Sequence, residues 1–389
     1  MKQWVLSFLM IVILGCSSQK TDQIPDQFQE LENLTVYSTD TTPVKTISFK
    51  KDVIYGNTIK VLLGSVTEIA VDGSGRVFIA DIENMTIHVF EPGGRYIHQL
   101  GRDGRGPGEF STIHSIQIQG DRLYAFDLWP NNKVHIFTLD SLTIEETIIL
   151  ARNRGEYQEL YNASPIIHEI YVRNNKTYLA EFILNSSKQR RLWKNIDIRG
   201  LFYLLDSTGK MASNKLIDIK EDTRTSFQAF DVPVKPFFGN AFTVLSSDNS
   251  IYLVGPGHVL IKEYSPNGAY RSSFYYPHNK IPITRESAID AEVPDIFINS
   301  MDSMDLPETW PVITDMKIGY QDRLWIATTV KDMNVYEWWV LENTGELIAK
   351  FKWPRDEQIE VVKNEYVYTR ETNAETGHQQ IVRYRFEMN

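Results

Sequence analysis

One stretch of sequence returns further along the chain, and that repetition constrains the fold more tightly than composition does. Glu68-Ile69-Ala70-Val71-Asp72-Gly73-Ser74-Gly75-Arg76-Val77-Phe78-Ile79-Ala80-Asp81 reads as a strand, a tight Asp/Gly turn, a second strand and a closing aspartate. It returns as Ser115-Ile116-Gln117-Ile118-Gln119-Gly120-Asp121-Arg122-Leu123-Tyr124-Ala125-Phe126-Asp127. A third strand follows in both copies, Ile87 to Phe90 and Val134 to Phe137, and then a fourth, Tyr96 to Leu100 and Ile144 to Leu150. Fainter copies begin at Glu169, Phe242 and Asp315, and a final, incomplete one supplies three strands between Ile359 and Phe386.

Six four-stranded units predict an all-β, six-bladed β-propeller, because one such sheet cannot bury both faces alone and a ring of them buries all. The incomplete last unit would leave an open edge, an aggregation hazard. Closure therefore predicts that an N-terminal strand joins the last blade, with 58–63 as the candidate and Thr46 to Phe49 adding to the same sheet. The expected blades are 66–100, 113–150, 166–220, 241–276, 313–353 and 358–389, within a propeller domain spanning 44–389.

The chain has 389 residues, enough for a large core, and its net charge of -10 excludes a general attraction to nucleic-acid phosphates. Its one cysteine cannot form an internal disulfide, and its position gives it another reading. Met1-Lys2-Gln3 precede an apolar run from Trp4 to Leu14, too short to span a bilayer and of the length of a secretory signal core. Ile13-Leu14-Gly15-Cys16 resembles a bacterial lipobox, with Leu14 in place of the usual small residue. The resemblance implies a lipoprotein signal peptide over 1–15 and acylation of Cys16, which tethers the protein to a membrane while its body stays in water. Ser17, where an aspartate would favour inner-membrane retention, points to the outer membrane. Residues 16–43 read as a lipid-anchored polar linker with one short helical turn near Phe28 to Leu31.

Taken together, the units resemble the NHL-type six-bladed propellers, and in particular the propeller lipoproteins of Bacteroidota-like bacteria. The match is closest over Val66 to Phe110, including the connector Gly101-Arg102-Asp103-Gly104-Arg105-Gly106-Pro107-Gly108-Glu109-Phe110. The resemblance implies the fold and no single activity, since such propellers serve many functions. Some relatives of this type are lactonases or lyases with a metal in the channel, but their ligand sets do not map onto this sequence.

No Gly-x-Ser-x-Gly elbow and no His-Glu-x-x-His motif occurs, so a nucleophilic hydrolase has no sequence support. The glycine-rich connector lacks the Gly-Lys-Ser/Thr and helix of a phosphate loop and reads as a packed interblade turn. Asp81 and Asp127, with Asn84 and Asn132 nearby, and His88 and His135 recur at matched positions and read as scaffold.

The starts of the innermost strands are more informative. The repeat register sets Glu68, Ser115, Glu169, Phe242, Asp315 and Gln358 at one level of the channel, preceded by Thr67, His114, His168, Ala241, Thr314 and Glu357. Glu68, His114, His168, Glu169 and Asp315 are thus candidate ligand-binding residues at one mouth, able to hold a divalent cation or a cationic ligand. The alternative is an ordinary hydrated polar channel. Two further surfaces are candidates: Arg190, Arg191, Trp193, Phe227, Phe230, Phe237 and Phe238 on insertions, and Tyr275, Tyr276, His278, Phe297 and Trp310 beyond them. These readings predict a cell-envelope module binding a ligand, or an envelope protein, peptide or saccharide. A metal-dependent hydrolase or lyase at the channel mouth is the alternative.

Overall fold

The computed structural model describes residues 24–56, 61–161, 166–184, 199–219, 237–304 and 306–389. Six sheets form, each with four antiparallel strands in up-and-down order. The innermost strands are Val66–Val71, Ser115–Gln119, Ile166–Val172, Phe242–Leu245, Ile313–Ile318 and Gln358–Lys363. Hydrophobic clusters fill the spaces between neighbouring blades; one joins Phe126 and Val134 of blade two to Ile170, Phe182 and Leu201 of blade three. Side chains also stitch inner strands together. Gln117 donates to Ile170 O at 2.6 Å and accepts from Val172 N at 2.9 Å.

The tight turn of blade one shows why the repeat has its sequence. The Asp72 carboxylate accepts the backbone N–H groups of Ser74 and Arg76, each at 2.9 Å, and Gly75 takes φ 86°, a conformation glycine adopts without penalty. In the following connector, Gly101 at φ 75° lies so close to the Phe110 ring that a Cβ there would come within 2.1 Å of it. Glu109 accepts the N–H groups of Arg105 and Gly106 at 3.1 and 2.8 Å. The connector's amides therefore serve an internal carboxylate, and Phe110 is fully buried, as a packed interblade turn requires.

The ring closes through an N-terminal strand on the last blade, as expected, and Thr46 to Phe49 belong to it rather than merely adding to it. The strand Ile47–Tyr55 pairs with Gln379–Met388 as the outermost strand of blade six. Of the candidate segment 58–63, residues 58–60 lie outside the described residues, and Leu63 makes an isolated bridge to Gln379. The polar linker also proves shorter than expected. Asp26–Phe28 forms a 3-10 turn that buries Phe28 against Leu260 and Tyr275, and Leu34–Val36 adds a parallel fifth strand to blade four. Tyr37 then stacks on Tyr276, with centroids 4.4 Å apart, and donates to Thr344 O, while Lys45 N reaches Ile348 O at 2.9 Å. Residues 26–55 thus form a strap from blade four across blade five to blade six. Cys16, Arg190, Arg191, Trp193, Phe227 and Phe230 lie outside the described residues.

The connection between blades four and five carries two short helices, Arg285–Asp290 and Asp295–Ser300. The first starts with a capping box in which Thr284 and Ser287 exchange side-chain-to-backbone bonds. Phe237, Phe238, Phe297, Trp310 and Met333 form a separate small core here, and Tyr275 and Tyr276 are buried too. Phe237, Phe238, Tyr275, Tyr276, Phe297 and Trp310, expected on a binding surface, therefore pack inward. The helices leave Ile289 and Ile296 exposed instead.

Candidate functional site

The inner strands surround an axial cavity of about 980 Å³. Its mouth is built by Ile82, Leu128 and Trp129, which follow second strands, and by Thr112, Ile166 and Asn240, which lead into the next blades. All five sequence candidates, Glu68, His114, His168, Glu169 and Asp315, line this space. Antiparallel pairing explains their convergence: irregularities at Val66/Glu68, Ile167/Glu169 and Ile313/Asp315 recur at the same point of three inner strands.

Blade six departs from the expected register. Its irregularity falls between Ile359 and Val361, so Glu360 is the counterpart of Thr67 and Val361 that of Glu68, in place of Glu357 and Gln358. Gln358 still lines the cavity, but Glu360 is the carboxylate that enters the charge network. Its Oε1 lies 2.9 Å from Arg370 Nε, and Arg370 also donates to Val66 O at 2.6 Å, tying blade six to blade one.

Lys317 also escaped the sequence reading. It stands two residues inside Asp315 and therefore on the same side of the strand. Its Nζ lies 3.2 Å from Asp315 Oδ1, and 24% of its side chain still faces open space. Burial alone would lower its pKa, but Asp315, Glu360 and Glu68 outweigh that effect and hold the ammonium well above the ordinary lysine range. Burial acts in the opposite sense on Glu68. Lys317 opposes it, while Glu360, Glu169 and Asp315 reinforce it, and the carboxyl is pushed up to about 8. Near neutral pH Glu68 therefore carries a proton. Glu360 is raised for the same reason, against the pull of Lys317 and Arg370.

The histidines occupy the opposite wall. His114 is lowered by burial, against the negative charge of Glu169, and His168 Nδ1 lies 3.5 Å from the fully buried Glu181. Among the described residues no three His, Cys, Asp or Glu come together as a group able to hold a metal ion. The cation that the Asp315–Glu360 side of the channel requires is instead the chain's own Lys317. The metal-dependent reading loses its geometric basis on that side.

Asp81 and Asp127 lie outside the channel. Asp81 accepts from Gly64 N, Ser65 N and Asn84 at 2.8 to 3.2 Å, with His88 Nε2 at 3.4 Å. Asp127 accepts from Ser111 N and from Asn131 Nδ2, both at 3.1 Å. The partner matching Asn84 is thus Asn131 rather than Asn132. Asn132 sits instead at φ 49°, as Met85 does at φ 48°.

Residues 57–154 match a family model described as a six-bladed β-propeller, DUF5128. Solved structures extend the likeness over the whole ring. A DUF4221 protein from Bacteroides vulgatus matches with TM-score 0.57 at 9% identity, covering 88% of this chain and 99% of that one. A protein described as exported, from Bacteroides fragilis, matches with TM-score 0.50 at 11% identity, covering 91% and 99%. A PQQ-bound aldose sugar dehydrogenase from Streptomyces coelicolor matches with TM-score 0.45 at 12% identity, covering 89% and 100%. At these identities the likeness is one of fold. No curated protein matches the sequence.

Proposed function

We propose that this chain is an NHL-like propeller lipoprotein of the cell envelope, anchored through Cys16 at the outer membrane, and that it works as a binding module. Its ligand is small and polar and enters the mouth of the central channel. The observation that carries this reading is the convergence of Glu68, His114, His168, Glu169 and Asp315 from four blades onto one cavity of about 980 Å³. That volume lies at the upper end of the range for small-molecule sites, about 300–1,000 Å³. A wall so rich in ionisable groups favours a ligand able to hydrogen-bond along its length.

Two experiments test the two halves of the proposal. Membrane fractionation of the wild type and of Cys16→Ser should move the protein from the membrane to the soluble fraction, and unchanged partition would remove the anchor. Thermal-shift screening against neutral sugars, amino acids and short peptides should find a stabilising ligand whose effect is lost in Glu169→Gln and Asp315→Asn. If hits persist unchanged in both variants, the site is elsewhere. If no compound stabilises the wild type, a channel-binding role is refuted.

A further inference from the structure

The channel carboxylates divide into two sets. Asp315 and Glu360 are paired with Lys317 and Arg370, at 3.2 and 2.9 Å. Among the described residues no hydrogen bond or ion pair reaches the carboxyl group of Glu68 or Glu169, although both line the cavity. The nearby Lys317 and Arg370 are therefore committed, and the carboxyl groups left over are Glu68 of blade one, protonated near neutral pH until a cation arrives, and Glu169 of blade three. Two further groups in the same wall lack partners: the hydroxyls of Ser115 and Thr243, each residue only 7% exposed. At the rim Trp129 is 45% exposed, an aromatic flank for a cation or its hydrocarbon stem.

Each class of ligand meets this wall differently. An anion is repelled by it. A neutral ligand leaves a half-buried carboxylate without a counter-charge, which is costly. An ammonium group supplies both the charge and three donors. We propose that the channel takes a small organic ligand bearing a protonated amine, with its ammonium seated against Glu68 and Glu169. This assignment rests on the polar-ligand reading above and narrows it to one chemical class. Binding of this kind carries its own signature. A cation beside Glu68 drives off the proton that burial and the charges of Glu360, Glu169 and Asp315 keep there, against Lys317, so amine binding releases protons near neutral pH.

The test is isothermal titration calorimetry of the purified protein with two matched pairs, glucosamine against glucose and pentylamine against pentanol, in buffers of different ionisation enthalpy. At least one amine should bind about tenfold or more tightly than its neutral partner, with net proton release. Glu169→Gln should weaken amine binding about tenfold without lowering the melting temperature. Lys317→Met removes the competing ammonium and should strengthen amine binding, the opposite of what general damage to the channel would do. A neutral partner binding as tightly as its amine overturns the assignment and leaves the polar-ligand reading standing. Absence of amine binding up to about 10 mM also overturns it, and the wider reading falls only if the sugar, amino-acid and peptide screen fails as well.

Discussion

The blade junctions and the channel both hold deep carboxylates, and the two regions treat them in opposite ways. At the junction of blade one, Asp81 is fully buried, yet burial is outweighed by the His88 ring 3.4 Å away and by bonds from Gly64, Asn84 and Ser65, which hold it far below the ordinary aspartate range. In the channel, Glu68 has no such donors and is pushed up to about 8. The difference lies in backbone supply. Asp81 closes its strand just where the chain turns and exposes unpaired N–H groups, so the carboxylate completes the fold. Glu68 lies within the strand Val66–Val71, away from any such turn, so its carboxyl group is left to face whatever enters the cavity.

The largest effect should come from breaking the satisfied site. Asp81→Ala strands the N–H groups of Gly64 and Ser65 and the Asn84 side chain, and should lower unfolding stability by about 3 kcal/mol in urea titration. Glu68→Ala should lower it by less than half as much. Equal losses would mean that the channel carboxylate is also part of the scaffold.

Next in size is the pH dependence, where the two sites predict opposite signs. A carboxyl whose folded pKa is raised contributes stability that is fully present below its unfolded value and is lost as pH rises through its folded one. For Glu68, facing His114, Glu169, Asp315, Lys317 and Glu360, that window runs from the ordinary carboxylate range up to about 8. The loss should amount to about 2 kcal/mol once channel water is allowed for, and Glu68→Gln should abolish it. Asp81 works the other way: its contribution is present above the ordinary aspartate range and disappears as pH falls towards its own low value. His135, held down to about 4 by burial and by Lys133, adds to this acid sensitivity, because it must charge in a site that disfavours charge. Melting curves from pH 3 to 9 should therefore fall on both sides, and Glu68→Gln should flatten only the alkaline limb. An unchanged alkaline limb would show that Glu68 ionises freely.

These contrasts also mark what was legible in the sequence. The ring could be read because each Asp/Gly turn and each alternating strand obeys local rules, and because blades one and two keep them almost intact. The five candidate residues could be read for the same reason, since register alone places them. The closing strand Ile47–Tyr55 was legible only in its first part, Thr46 to Phe49, and the rest was hidden by its position. As an outermost strand it is mostly solvent-facing, with Lys50, Lys51 and Asp52 in its middle, whereas 58–63 looks apolar enough to be buried. Glu360 was hidden by an irregularity that shifts blade six out of register. Lys317 was within reach, because two-residue parity from Asp315 places it on the channel side. It lies deeper in the strand Ile313–Ile318 than the mouth positions that the repeat register aligns. Phe237 and Trp310 misled for a different reason: an irregular connection long enough to fold on itself builds its own core, and sequence alone does not separate that from a binding loop.

The smallest expected effect lies within the junction class and tests whether repetition implies equivalence. Asp127 occupies the position of Asp81, but among the described residues Asp127 Oδ1 has no hydrogen-bond partner, and its pKa is raised, burial exceeding the bonds from Ser111 and Asn131. The histidine accounts for part of this. His88 Nε2 stands 3.4 Å from Asp81, whereas the Nδ1 of His135 is engaged by Gly108 N at 3.2 Å and lies 2.9 Å from Thr147, away from Asp127. The glycine connector is what diverts it, since Gly108 belongs to that connector. Asp127→Asn should therefore cost about 1 kcal/mol less than Asp81→Asn in paired unfolding titrations. Equal costs would mean that the backbone donors, shared by both sites, set the strength of the junction and that the histidines contribute nothing to it.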